Sequence, residues 1–235
     1  MRMSDAFSCG YIVAYSQLPD EVSGHTDSIS LLGNECVALS TGVVTLPHPD
    51  VASQFASETA LWCYRHVRQR PYYWEDKGKL IERMFRTTNL SLWQKRKEPT
   101  FSEGLACTFS VVLLGVRKIW IGSIGNIGLY FVREGLVDDL TYKTENSEIS
   151  TIRALGFARS GAIPETIAET IVPGDVLILA SVCVSRVITE DDIRIASEET
   201  GATQESCMKG VIFLLEKALE RGSKGSKTVC VIKKL

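Results

Sequence analysis

Between Gly104 and Leu140 three β-rich runs follow one another with only short breaks, and this stretch excludes an all-helical architecture. Cys107 to Leu114 is an almost unbroken apolar and β-branched segment, Lys118 to Ser123 is a second, and Gly128 to Val132 a third. Residue type and period both favour strands buried on one or both faces. The break at Gly115-Val116-Arg117 is hairpin-sized, and Arg133-Glu134-Gly135 has the composition of a second turn. A meander in one central sheet is expected, with Ile124-Gly125-Asn126-Ile127-Gly128 at a functional edge.

The flanks add elements on both sides. Ala6–Tyr15 and Ser28–Ser40 read as strands, the second folded into a hairpin at Gly33-Asn34. Val51–Arg70 has helical periodicity, with Val51, Phe55, Thr59, Trp62 and His66 on one stripe and Pro71 as its stop. Asp76–Lys97 carries a second helix with Leu80, Ile81, Met84, Phe85 and Leu92 as its apolar positions. Beyond a polar connection over Thr141–Gly161, strands are expected at Glu165–Val172 and Val176–Val184, joined by a Pro173-Gly174-Asp175 turn of type II. Thr189 caps a short helix with an acidic first turn, a longer helix covers Thr203–Arg221, and Thr228–Ile232 closes the chain as a strand. Strands, two helices, strands, two helices and a strand predict an α+β sandwich with helical layers outside antiparallel sheets.

The 235 residues fit a single domain, 1–235, since no linker-like stretch divides them. A formal charge of −2 gives no global bias toward nucleic acid or membrane, and no apolar run reaches the length of a membrane span. Seven cysteines stand singly in apolar surroundings, without CxxC pairs or metal-ligand spacing to His25, His48 and His66. They read as buried thiols in a reducing, cytoplasmic setting. Arg65–Lys97 is locally basic with Tyr72, Tyr73, Trp74 and Trp93 interleaved; a solvated outer face of two helices accounts for it better than a nucleic-acid surface. The GSIGNIG glycines lack the lysine and following helix of a phosphate cradle and read as a tight turn. His48 reads as a rigid loop residue between two prolines, and Asp138-Asp139 as a solvated turn.

Several short motifs, in order and at matching spacing over about Ser23 to Val231, resemble the metal-dependent protein phosphatases, the protein phosphatase 2C-like serine/threonine enzymes. His25-Thr26-Asp27-Ser28 stands where that family has Arg-x-x-Asn-Glu-Asp-Ser. Ser40-Thr41-Gly42-Val43-Val44-Thr45-Leu46 stands in place of Ala-Asp-Gly-Met-Gly-Gly-His, and Gly104–Thr108 is similar to the Gly-Thr-Thr strand. Ile124–Gly128 resembles the Val-Gly-Asp-Ser-Arg turn, with Arg153–Gly156 and Pro173–Asp175 as further landmarks. Ser181–Arg186 takes the place of Ser-Asp-Gly-Leu-x-Asp, and Gly225–Val229 that of Asp-Asn-Ile-Thr-Val. The resemblance implies a four-layer α-β-β-α sandwich of two mainly antiparallel sheets flanked by helix pairs.

It also implies a site of two Mg²⁺ or Mn²⁺ ions held by carboxylates, because hard divalent cations take oxygen ligands and activate water for attack on phosphorus. Here the matching positions are Thr26, Asp27, Thr41, Gly42, Asn126, Val182 and Gly225, and Val22 replaces the phosphate-binding arginine. Only Asp27 remains acidic, so no metal is expected; Mn²⁺ or Mg²⁺ enters only if the site has been rebuilt. Arg186 replaces a further aspartate and is expected either to pair with Asp27 or another nearby carboxylate or to stand as an ordinary surface arginine after a strand, and with Lys224 and Lys227 it forms a candidate anion-binding group. Cys183, inside the altered motif, invites comparison with a thiol nucleophile, but no histidine is near it in sequence and a core cysteine is the simpler reading. What remains is a pseudophosphatase, a regulatory module for a protein partner such as a kinase or a phosphoprotein, with an active metal-dependent serine/threonine phosphatase as the alternative.

Overall fold

The computed structural model describes residues 10–141 and 153–235. Positions 6–9 of the first expected strand and 142–152 of the polar connection lie outside the described residues. In chain order the elements are β1 (Tyr11–Leu18), β2 (Asp27–Leu32), β3 (Cys36–Gly42), α1 (Pro49–Val67), α2 (Pro71–Glu75), α3 (Lys77–Lys95), β4 (Cys107–Leu114), β5 (Lys118–Ile124) and β6 (Gly128–Arg133). There follow β7 (Leu136–Asp139), β8 (Glu165–Thr170), β9 (Val176–Ala180), α4 (Val182–Ser185), α5 (Glu190–Glu199), α6 (Gln204–Glu220) and β10 (Lys227–Lys234).

Two five-stranded sheets result, ordered β2-β3-β4-β5-β8 and β1-β10-β9-β6-β7, and every pairing is antiparallel. α1 and α3 cover the outer face of the first sheet, and α5 and α6 that of the second. The four layers expected from the resemblance are therefore present. Three buried clusters fill them: Phe85, Phe109 and Leu80 under α1 and α3; Leu39, Ile121, Leu129 and Leu179 between the sheets; Ile178, Val211 and Leu214 beneath α5 and α6.

The expected single-sheet meander is not what forms. β4 and β5 pair in the first sheet, whereas β6 pairs with β9 and β7 in the second. The chain changes layers at Gly125-Asn126-Ile127, where Gly125 adopts φ +92° and Ile127 is driven between the sheets. A turn that tight was legible; that it exits sideways into another layer depends on burial of Ile127, which a local pattern does not convey. Asp138 and Asp139, expected in a turn, belong to the short edge strand β7, where charge protects an exposed edge.

α1 also buries a different stripe from the one expected. Its inner face is Ala52, Ser53, Ala56, Ser57, Ala60 and Cys63, while Trp62 is 58% exposed. Small residues let the helix lie close on the sheet, close enough for hydroxyl contacts: Ser57 Oγ lies 2.9 Å from Ser28 Oγ and 3.0 Å from Ser30 Oγ. Ser40 Oγ donates to the Ser53 carbonyl at 2.5 Å. Large residues dominate a hydropathy stripe, and here Trp62 and His66 of that stripe lie outside while Val51 and Phe55 are only partly buried. Pro71 does not stop α1, which ends at Val67, but opens α2 at its first position. α3 behaves as expected, with Asp76 capping it through Lys79 N–H and Leu80, Ile81, Met84, Phe85 and Leu92 all buried.

The strand expected over Val176–Val184 stops at Ala180. Ser181 then starts the single-turn helix α4, because its N–H and hydroxyl are committed to β10: its N–H donates to Thr228 O at 2.8 Å, and its Oγ accepts from Thr228 N–H at 3.0 Å. α5 begins in a reciprocal capping box between Thr189 and Asp192, and the Asp192 carboxylate is gripped by the Arg221 guanidinium at the end of α6. Among the described residues no helix is long and apolar enough to cross a membrane.

Candidate functional site at the end of the two sheets

The ends of β2, β3, β9 and β10 meet at one end of the sandwich. Asp27 opens β2 and pairs in register with Thr41 on β3; Thr26 precedes it, and its carbonyl accepts from Gly42 N–H at 2.8 Å. From the other sheet Thr228 Oγ1 donates to Asp27 Oδ2 at 3.0 Å, so one hydrogen bond spans the two layers. Thr26, Asp27 and Thr41 are buried, as are Ser181, Ser226 and Thr228. A carboxylate ringed by hydroxyls is the centre of the site.

Burial dominates the chemistry of that carboxylate. Desolvation pushes Asp27 from its ordinary value of 3.8 up to about 6, against the opposing effect of the Thr41, Ser181, Thr228 and Ser226 hydroxyls. Its Oδ1 and the Thr41 hydroxyl are both buried without a hydrogen-bond partner of good geometry. The remaining positions close the space rather than line it with donors. Val182, at the first position of α4, packs into the inter-sheet cluster. Gly225 has φ +96°, and a Cβ there would lie 2.6 Å from Cys183 Sγ, so no acidic side chain fits while that thiol stays in place. Asn126 is exposed on the crossover between the sheets.

The expected anion-binding trio divides by exposure, with Arg186 and Lys227 both acting on the Cys183 thiol. Arg186 is the exposed C-cap of α4 and makes no ion pair with Asp27; the helix turn directs it to solvent. Lys224 is exposed as well. Lys227 is 4% exposed, and its Nζ donates to the Gly225 carbonyl at 2.8 Å, which places a buried ammonium beside Cys183. Val22, at 95% exposure, leaves the family's phosphate-binding position outside the site.

Cys183 is half-buried on α4 rather than in a core strand. Burial pushes its thiol up and the Asp27 carboxylate adds to this, with Arg186 and Lys227 opposing. A thiol held protonated is a poor nucleophile. His48 precedes α1 with its ring edge-on to Phe101 at 5.2 Å, a packing role.

Sequence reading passed over four contributors. Ser181, Ser226 and Thr228 entered only as parts of two motifs, with no role of their own, and tertiary pairing brings them to Asp27. Asp20 was the fourth: its Oδ2 accepts from Val22 N–H, Ser23 N–H and Ser23 Oγ, and its Oδ1 from Gly225 N–H at 3.0 Å. Those bonds, led by the Ser23 N–H, hold its carboxyl down at about 2. The Asp-x-x-Ser spacing was the available signal. With both oxygens engaged by the protein, Asp20 is a loop tie and not a free ligand.

Two divalent ions do not fit these residues. The donor set offers a single buried carboxyl whose charged form is disfavoured by burial, neutral hydroxyls, a valine, a glycine and a buried ammonium. Among the described residues no three His, Cys, Asp or Glu side chains converge on a point.

No family model matches the sequence, and no curated protein matches it. Solved structures do. The serine/threonine phosphatase PstP/Ppp of Mycobacterium tuberculosis is 19% identical with a TM-score of 0.76, covering 95% of this chain and 98% of its own. The serine/threonine phosphatase of S. agalactiae is 16% identical with a TM-score of 0.78, covering 96% and 100%. PppA of Pseudomonas aeruginosa, described as a key regulatory component of T6SS, is 16% identical with a TM-score of 0.77, covering 96% and 98%. The catalytic domain of PstP, 19% identical with a TM-score of 0.73 over 95% and 98% of the two chains, has been solved with two manganese ions. The chain therefore has the α+β sandwich fold of the metal-dependent serine/threonine phosphatases.

Proposed function

We propose that this chain is a pseudophosphatase domain, a phosphatase fold that does not hydrolyse phosphoesters through a metal pair and acts in phosphorylation signalling as a binding or regulatory module. One observation carries the reading: among the described residues the end of the sandwich where metal-binding carboxylates are expected holds one buried carboxyl, Asp27, set among hydroxyls and closed by Val182 and the Gly225–Cys183 contact, while Asp20 beside it is committed to Val22, Ser23 and Gly225. Hydrated dications need several anionic oxygens at once. The partner on this reading is a protein, a kinase or a phosphoprotein, and no metal cofactor is required.

The alternative, an active phosphatase with a remodelled Mn²⁺ or Mg²⁺ site, draws on one feature, the buried Asp27 Oδ1 without a hydrogen-bond partner. Calorimetric titration with Mn²⁺ separates the two. No saturable binding below about 1 mM is expected, since sites with few charged ligands fall in the weak end of the divalent range. Micromolar binding abolished by Asp27→Asn would establish the alternative.

A further inference from the structure

The basic, aromatic stretch that the sandwich-end site leaves unexplained borders a cleft of its own. Tyr72 and Tyr73 on α2, Lys79, Glu82, Arg83 and Arg86 on α3, and the segment 162–164 line a cleft of about 340 Å³. Three cations face one carboxylate there. Lys79 is shared with Asp76, 3.4 Å away, and lies over the Tyr72 ring at 4.7 Å. Arg83 and Arg86 differ: both are exposed, stand one helical turn apart on the same face, and among the described residues neither has a carboxylate partner. The nearby acid Glu165 is already paired with Arg153 at 3.0 Å.

Two adjacent guanidinium groups, of which Arg83 also reaches the Cys63 thiol, match a dianionic tetrahedral oxyanion, which accepts charge-assisted bonds from both. A lone carboxylate would satisfy only one. Beside them Ile163 is 69% exposed, and Tyr73 sets its ring edge-on to Tyr72 at 5.1 Å, an apolar wall suited to a peptide's flanking side chain.

Nucleic acid fits the same surface less well. Base stacking needs open ring faces, and here Lys77 sits over Trp74 at 4.6 Å while Lys97 and Arg159 occupy Trp93 at 5.0 and 5.6 Å. We propose that this cleft binds a phosphorylated serine or threonine side chain on a protein partner, through Arg83 and Arg86. The proposal concerns a different face from the Asp27 site and stands whether or not that site turns over.

The test is retention, on the immobilised full chain, of a degenerate peptide library with a central phosphoserine against the same library with serine. Preferential retention of the phosphorylated library is expected. R83A/R86A should reduce it at least about tenfold, since hydrogen bonds to charged groups contribute that much or more. R186A/K224A, at the other site, should leave it unchanged. Both arginines are exposed, so an unchanged thermal melt accompanies the loss. Equal retention of the two libraries overturns the proposal. So does loss in R186A/K224A alone, which would move the anion to the sandwich end, or tighter binding of poly(U) RNA than of phosphopeptide at the same arginines.

Discussion

Gly42→Ala is expected to cost about 3–5 kcal/mol, or to leave no folded protein, because the added Cβ would lie 2.0 Å from the Pro49 carbonyl oxygen and 2.4 Å from its carbon. The obstacle is backbone, so no rotamer change relieves it. Pro49 begins α1, and that helix is fastened to the sheet through Ser53 and Ser57. Moving it apart from β3 breaks those contacts together. Gly33→Ala is the control: Gly33 has φ +50°, is exposed, and a Cβ there meets nothing within 4 Å, so its cost is about 1 kcal/mol of backbone strain. Urea unfolding of both variants reads the difference. A loss below about 1 kcal/mol for Gly42→Ala would mean that the close approach of α1 to β3 is wrong.

Asp27→Asn is expected to stabilise the protein, and to do so only on one side of a pH window. The carboxyl titrates at 3.8 ordinarily and at about 6 in the fold. The folded state therefore holds the proton more tightly: the stability linked to it is complete below about pH 3.8 and is lost as pH rises through about 6. Above that pH the fold carries a buried, poorly compensated charge worth on the order of 3 kcal/mol at most. Asparagine can still accept from Thr228 and offers a donor where Oδ1 lacks a partner. The variant should gain about 1–3 kcal/mol over the parent at pH 8 and little at pH 4. Equal effects at both pH values, or destabilisation at pH 8, would show that an ionised Asp27 is stabilised by something in the site. A functioning metal centre would need that ionised carboxylate.

Element types followed the residues closely where one layer decided them. α3 and its Asp76 cap, the Gly33-Asn34 hairpin, and the Gly115–Arg117 and Pro173–Asp175 turns all stand where local pattern placed them. Errors arose where a second layer decided. The β5–β6 turn crosses between sheets because Ile127 is buried there, and α1 turns its alanines inward because the sheet is near. The site divides in the same way. Thr26, Asp27, Thr41, Val182 and Gly225 were legible through motif order alone, and the fold gathers them at one end. The hydroxyl contacts to Asp27 were not, since nothing in a strand-end threonine such as Thr228 announces a partner 201 residues away. Of the two readings of Arg186 the surface one holds, because Ser181 begins a helix where a continuing strand had been expected, and one helical turn redirects a side chain from the site to solvent.

Hydrolysis of p-nitrophenyl phosphate by the purified chain with excess Mn²⁺, beside an active phosphatase of the same fold, tests the central claim most directly. No turnover above the rate without protein is the predicted result, with Mn²⁺ and Mg²⁺ equally ineffective. Metal-dependent turnover that disappears in Asp27→Asn would contradict it, because a site with one raised carboxyl would then be holding the ions that its side chains do not fit.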